Sequence, residues 1–126
     1  MIFDTDVIIW AFRKKDSAEK LLMDVKDISI SAITYMELLQ GALNKQELIQ
    51  IKKFLQVFEM RILDIRPSVT HRAMDYVEQY ALSDSMQLAD ALIAATAVEN
   101  GETLCTTNWK HYKCIPDLEL EIFTVA

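Results

Sequence analysis

Glycine, proline and cysteine are scarce in this chain of 126 residues, which contains two of each. With only Gly41 and Gly101, the sequence has no glycine-rich phosphate loop and no dinucleotide-binding fingerprint. Cys105 and Cys114 fit neither a disulfide framework nor a zinc knuckle, and we interpret them as reduced structural thiols. No apolar run reaches the roughly 18 residues that a membrane span needs. The N-terminus lacks a basic region and a signal segment, so we expect a cytoplasmic protein with no membrane partner.

The composition is that of a folded, acidic domain. Hydrophobic residues make up 52% of the chain, which excludes disorder and predicts one domain over residues 1–126 with a sizeable core. The net charge of −6 taken alone argues against nucleic-acid binding. That objection weakens if several acids share a metal site, because the bound cations cancel much of their charge.

Short apolar runs alternate with helical patterns along the whole chain. We predict strands at 2–3, 28–31, 61–65, 103–106 and 118–123, and helices at 7–12, 17–26, 34–42, 45–58, 67–81 and 88–98. This alternation predicts an α/β fold with a parallel or mostly parallel sheet that is covered on both faces. In such folds the site lies beyond the C-terminal ends of the strands, where the strand order reverses.

Residues 88–98 (LADALIAATAV) form a stretch in which nine of eleven residues are apolar. It has no Gly or Pro and five alanines, so it predicts a buried helix, and we expect residues 83–85 to cap its start. Asp90 would then lie inside an apolar helix. An ionised carboxylate in that setting is costly unless it is paired or binds a metal.

Three other acids interrupt apolar segments: Asp4, Asp6 and Glu37. Carboxylates without nearby His or Cys favour magnesium or manganese over zinc. A cluster of this kind suits metal-assisted phosphodiester hydrolysis, which needs no protein nucleophile. Each acid also has a simpler interpretation. Asp4 or Asp6 could only cap a helix, and Glu37 could form a capping box with Thr34.

Four segments in the same order resemble the PIN-domain ribonucleases, and most closely the small single-domain toxins of VapC type. They are DTDVIIW (4–10), SAITYMELLQG (31–41), LADALIAATA (88–97) and LCTTN (104–108). The resemblance implies a three-layer α/β/α sandwich around a mostly parallel sheet of about five strands, with the first strand central. It also implies RNA cleavage with Mg²⁺ or Mn²⁺.

The resemblance assigns roles to individual residues of this chain. The family's core metal-site acids correspond to Asp4, Glu37 and Asp90. Thr106 matches a hydroxyl that helps to order the site, which makes it a fourth catalytic candidate. Asn108, the fifth candidate, stands where many members have a further acid, whereas Asp6 stands where the family often has Asn and is a possible accessory ligand.

The resemblance also implies partners. Members act on RNA, often structured RNA such as tRNA, usually as homodimers, and a cognate antitoxin holds them inactive. Our candidates for phosphate contacts are the basic residues Arg13, Lys14, Lys15, Lys110 and Lys113, although solvated surface is an equally good interpretation for them. His111 is interpreted as structural. An antitoxin groove or simple core burial would both explain Trp10, Phe12, Phe54 and Phe58.

Two alternatives remain open at this point. A receiver-type phosphoacceptor domain has a similar length and paired acids after its first strand, and Asp64 would be its acceptor. No Lys precedes the last strand as such a site needs, and a receiver has no reason to bury Glu37 and Asp90. The other alternative is a PIN-like scaffold that binds RNA or protein without catalysis, which Asn108 would allow.

Overall fold

The computed structural model describes residues 1–125, which contain six α-helices, one short 3₁₀-helix and five strands. The strands are β1 (Ile2–Phe3), β2 (Ser29–Ser31), β3 (Arg61–Leu63), β4 (Leu104–Thr106) and β5 (Leu120–Ile122). The helices are α1 (Thr5–Phe12), α2 (Asp16–Asp24), α3 (Ala32–Gln40), α4 (Lys45–Val57), α5 (Pro67–Asp84), α6 (Leu88–Glu99) and the 3₁₀-helix η1 (Trp109–His111). Within this described range, every helix is too short or too polar to cross a membrane.

The five strands form one parallel sheet in the order β3-β2-β1-β4-β5, which confirms the predicted fold. The central strand is β1, where Ile2 pairs with Ser29 on one side and with Leu104 on the other. The chain builds β2 and β3 outward on one side of β1 and then returns to build β4 and β5 on the other. The strand order therefore reverses between β1 and β4, and their C-terminal ends border the crevice in which such folds bind ligands.

The sheet separates two hydrophobic cores because successive residues of a strand face opposite sides. Ile2 and Leu104 belong to the core that α5 and α6 cover. Phe3 and Cys105 belong to the core formed with α1, α2, α3 and α4. All four of these side chains are fully buried, so the central strands are enclosed on both faces, as a three-layer sandwich requires.

Helix α6 starts at Leu88, as predicted, but the predicted cap at residues 83–85 is wrong. Helix α5 continues to Asp84, and Ser85 closes it in the left-handed conformation with a φ of 56°. Residues 83–85 therefore do not cap α6, whose N-cap position is occupied by Gln87 without a side-chain hydrogen bond. Asp90 lies within α6 as predicted, but it occupies the first turn of the helix rather than its interior. There the unpaired backbone N–H groups and the helix dipole favour a negative charge.

The start of α3 differs from the prediction. Ser31 is its N-cap, and the Ser31 hydroxyl accepts a hydrogen bond of 3.0 Å from the backbone N–H of Ile33. The helix begins two residues before Thr34, which is fully buried inside it. The capping-box interpretation of Thr34 and Glu37 is therefore wrong, and Glu37 is not needed to hold the helix start.

Candidate active site

Asp4 lies at the C-terminal end of the central strand and is only 6% exposed. It is the N-cap of α1, because its Oδ1 accepts a 2.9 Å hydrogen bond from the backbone N–H of Thr5. Its Oδ2 accepts hydrogen bonds from the hydroxyls of Thr106, at 2.8 Å, and Tyr112, at 3.0 Å. The capping and functional interpretations of Asp4 are therefore compatible, since each uses a different carboxylate oxygen.

The environment of Asp4 disfavours its charge. Burial and the nearby Asp6 carboxylate raise the pKa of Asp4 from 3.8 to about 6, although the hydrogen bonds from Thr106, Tyr112 and Thr5 lower it. Within residues 1–125, no Lys or Arg forms a salt bridge with Asp4, Asp6 or Glu37. The site thus holds a buried carboxylate whose charge no basic side chain of this range neutralises.

Asp90 faces the same crevice from the first turn of α6. Its Oδ1 accepts a 3.2 Å hydrogen bond from the Tyr112 hydroxyl, the same group that contacts Asp4. Its Oδ2 lies 3.2 Å from Nδ1 of His111. Asp4 and Asp90 are therefore connected through one tyrosine, and His111 lies at the edge of the site beside an acid.

Glu37 enters the site from α3. Its Oε1 accepts a 2.7 Å hydrogen bond from the hydroxyl of Thr5, the residue that follows Asp4. The hydroxyl oxygens of Thr5 and Thr34 are 3.0 Å apart, so two threonines from α1 and α3 hold this side of the site together. Glu37 is thus connected to the region of Asp4 through Thr5 rather than by a direct contact.

Asp6 and Asn108 form a pair on the β4 side. Asp6 Oδ2 accepts a 2.8 Å hydrogen bond from the Asn108 side-chain amide, and it also bonds to the backbone N–H and the hydroxyl of Thr107. The backbone N–H of Asn108 in turn donates to the Thr106 hydroxyl at 2.9 Å. An acid at position 108 would face the Asp6 carboxylate and repel it, whereas the amide complements it.

The predicted RNA-binding residues lie at two places. Lys110 and Lys113 flank the ring of Trp109 at 5.9 and 5.6 Å from its centroid, directly after Asn108. Lys14 and Lys15 follow the C-terminal end of α1, about 12 Å along the helix from its start near Asp4. Arg13 and Glu37 line the same groove.

The fit of the acids to a divalent cation rests on their chemistry and burial. As the side chains are placed, residues 1–125 contain no group of three or more His, Cys, Asp or Glu that is already arranged to hold a metal ion. The donors themselves suit Mg²⁺ or Mn²⁺, because all of them are carboxylate oxygens. Burial and Asp6 raise the pKa of Asp4, and a cation bound beside it would favour the charged carboxylate.

Three contributors to this site were missed by the sequence analysis, namely Thr5, His111 and Tyr112. Thr5 and Tyr112 carry no pattern that separates them from ordinary helix and loop residues, and His111 was interpreted as structural.

Comparisons with known proteins agree with this geometry. The family model of the PIN domain matches residues 1–114. The chain is similar to the solved structure of VapBC2 from Rickettsia felis bound to a DNA fragment from its promoter, with a TM-score of 0.82, 27% identity and coverage of 98% of this chain and 100% of that one. It is also similar to a toxin–antitoxin complex from Klebsiella pneumoniae, with a TM-score of 0.76, 27% identity and coverage of 99% and 97%. For FitAcB from Neisseria gonorrhoeae the TM-score is 0.75, with 25% identity and coverage of 94% of both chains. No curated protein sequence matches the chain.

Proposed function

Since the chain belongs to the PIN-domain family, we propose that it is a metal-dependent endoribonuclease and the toxin of a toxin–antitoxin pair. The observation that carries this proposal is the convergence of Asp4 and Asp90 on one hydroxyl at the strand-order reversal, with Glu37 one threonine away. A buried carboxylate such as Asp4, which has no basic partner among residues 1–125, disfavours a purely structural role, because such burial costs stability.

Asp4, Asp90 and Glu37 would hold the cation, with Asp6 as an accessory ligand. When bound, Mg²⁺ or Mn²⁺ polarises the phosphoryl group, lowers the pKa of a water and stabilises the leaving oxygen. The backbone N–H of Thr5 and the Thr106 hydroxyl orient the Asp4 carboxylate, and Thr5 orients Glu37. Lys110 and Lys113, which lie beside Trp109 just after Asn108, would contact the phosphates of the RNA strand.

An antitoxin partner is supported by an apolar groove of about 220 Å³ next to the site. Phe12 and Phe54 line it and pack edge to face at 5.6 Å, while Glu37 and Glu47 add negative charge to its rim. We propose that an antitoxin segment with apolar residues and an Arg or Lys occupies this groove. Replacing Phe54 with Ala should weaken antitoxin binding at least tenfold, measured by calorimetry, while RNA cleavage by the free toxin persists.

We further propose that the toxin is a homodimer, as the family resemblance implies. An apolar surface between α5 and α6 supports this, because Met74 and Leu88 are 59% and 70% exposed there. Light scattering of the purified toxin should give the mass of two chains, and a monomeric mass at micromolar concentration would contradict the dimer.

The decisive experiment compares Asp90→Asn with Asp64→Asn. Each change replaces a carboxylate with a neutral amide of similar shape. Asp64, however, is exposed and follows the edge strand β3. With mixed tRNA and Mg²⁺, Asp90→Asn should lose at least about 100-fold of the cleavage rate, and Asp64→Asn should cleave like the wild type. EDTA should abolish cleavage. Full activity of Asp90→Asn would refute the assignment and favour a non-catalytic scaffold.

The same pair of variants tests the receiver alternative. A phosphoacceptor at Asp64 would become labelled by a small phosphodonor such as acetyl phosphate, and Asp64→Asn would lose the label. We expect no labelling, because Asp64 lies beside an edge strand rather than next to Asp4 on the central strand.

A further inference from the structure

Tyr112 is the largest side chain of the described residues that is fully buried, yet its hydroxyl ends in the acidic site. The hydroxyl oxygen is 3.0 Å from Asp4 Oδ2 and 3.2 Å from Asp90 Oδ1. Across residues 1–125, Asp4 and Asp90 have no hydrogen bond to each other. This phenol is the group that connects the acid of the central strand with the acid of α6.

The position of the phenol is set by the fold rather than by the acids. The backbone N–H of Tyr112 donates to the carbonyl of Trp109, and its own carbonyl accepts from the N–H of Ile115, both at 3.0 Å. Its ring packs in the core beneath α5 and α6. The hydroxyl is therefore held by the fold at a point where it contacts both carboxylates.

The hydroxyl cannot satisfy both acids at once. A phenol has one proton, so it donates to one carboxylate and presents a lone pair to the other. Burial and the two carboxylates raise the pKa of Tyr112 far above its ordinary value, so the phenol keeps that proton. One carboxylate oxygen thus always remains without a donor from Tyr112.

We propose that Tyr112 is a positioning residue whose hydroxyl fixes the spacing and orientation of Asp4 and Asp90 for divalent-cation binding. This inference rests on the proposed metal site. Hydrogen-bond partners of ligand carboxylates hold them in register, and removing such a partner commonly weakens metal binding by about 10- to 100-fold. If Tyr112 were only a core residue, phenylalanine would replace it without effect on the metal, because the ring and its packing are retained.

The test is Mn²⁺ binding, measured by the loss of the free-ion signal in electron paramagnetic resonance. Tyr112→Phe should bind Mn²⁺ about 10- to 100-fold more weakly than the wild type. The control is Tyr76→Phe, which removes a hydroxyl from another buried tyrosine that bonds to none of the site's acids, and it should bind normally. Raising the Mn²⁺ concentration should restore RNA cleavage by Tyr112→Phe but not by Asp90→Asn. Equal affinity of Tyr112→Phe and the wild type would overturn the inference.

The same Mn²⁺ measurement distinguishes failure of the proposed metal site from failure of the Tyr112 role. Wild-type protein that binds no Mn²⁺ would overturn the metal site and, with it, this role for Tyr112. Wild-type binding that Tyr112→Phe retains would overturn only the positioning role and leave the proposed function intact.

A measurement on the wild type covers the case in which Tyr112→Phe does not fold. The chain has four tyrosines, so ¹³C labelling of the tyrosine Cζ gives a simple spectrum. The Tyr112 signal is assigned by replacing the other three with Phe in turn. It should shift on Mg²⁺ addition with the same midpoint as metal binding, while Tyr76 stays unchanged. A Tyr112 signal that is insensitive to saturating Mg²⁺ would overturn the inference.

Discussion

Replacing Asp4 with Asn should make the metal-free protein more stable while it removes catalysis. Burial and Asp6 raise the pKa of Asp4 from 3.8 to about 6, so the folded state resists the charge that this carboxyl carries at neutral pH. A shift of about two units corresponds to about 3 kcal/mol of destabilisation. Asn removes the charge, and its carbonyl oxygen can still cap α1 by accepting from Thr5. The amide must reverse the hydrogen bonds with Thr106 and Tyr112, at a cost of about 1 kcal/mol.

The expected net gain is therefore about 2 kcal/mol at pH 7.5, which raises the urea midpoint by about 1 M. The pH dependence follows from the direction of the shift. Because the folded-state pKa of Asp4 is raised, wild-type stability relative to Asp4→Asn is lost as the pH rises from about 4 to about 6. The advantage of the variant should therefore be largest above pH 6 and should vanish near pH 4, where the penalty for the charge is no larger than the cost of about 1 kcal/mol for the reversed hydrogen bonds.

Urea unfolding followed by circular dichroism, in EDTA and at equal protein concentration, measures both effects. Asp64→Asn is the matched control, since the same change at an exposed acid should leave the midpoint within about 0.5 kcal/mol of the wild type. Added Mg²⁺ should stabilise the wild type but not Asp4→Asn, because only the former retains the ligand. An Asp4→Asn protein that is less stable than the wild type at pH 7.5 would refute this account of the buried charge.

Three other predictions concern the support of the site and of α6. Thr106→Val removes a buried donor to Asp4 and should cost about 1.5–3 kcal/mol in urea unfolding, with cleavage reduced as well; unchanged stability would contradict the hydrogen bond. Asn108→Asp places two carboxylates together and should lower both stability and activity. Adding Asp6→Asn should restore stability, since the acid and the amide then exchange places. A double variant that is no more stable than Asn108→Asp in thermal unfolding would argue against this pair. Gly101→Ala should cost about 1 kcal/mol because Gly101 has a φ of 62°, with cleavage unaffected since the space around it is open; a stability equal to the wild type would contradict the strain.

Most of the element order could be predicted from local patterns. The run of apolar residues and alanines at 88–98 marks a helix, and Gly101 marks its end, both as the structure has them. The helix starts at Leu88 as predicted, but the cap predicted at residues 83–85 is absent, because the preceding helix α5 extends three residues past its predicted end at 81. Asp90 therefore lies at a helix N-terminus, where its charge is less costly than in the interior.

The acids of the site were predictable, but their supporting contacts were not. Asp4, Glu37 and Asp90 stand out because acids are rare in apolar segments, and that contrast is visible in the sequence alone. The hydroxyls of Thr5 and Tyr112 are common in ordinary helices and loops. Thr5 contacts Glu37, which is 32 residues away along the chain, and Tyr112 contacts Asp4, which is 108 residues away. Contacts over such distances leave no local pattern.

The alternation of strands and helices and the identity of the candidate acids are visible in the sequence, because hydrophobic patterning and side-chain chemistry are local properties. The central position of β1 and the meeting of the acids depend on the tertiary structure. It brought the loop after β4 back over the strand ends, so that one buried phenol contacts both Asp4 and Asp90. It also paired Asp6 with Asn108, because contacts between distant segments depend on how the sheet and helices pack.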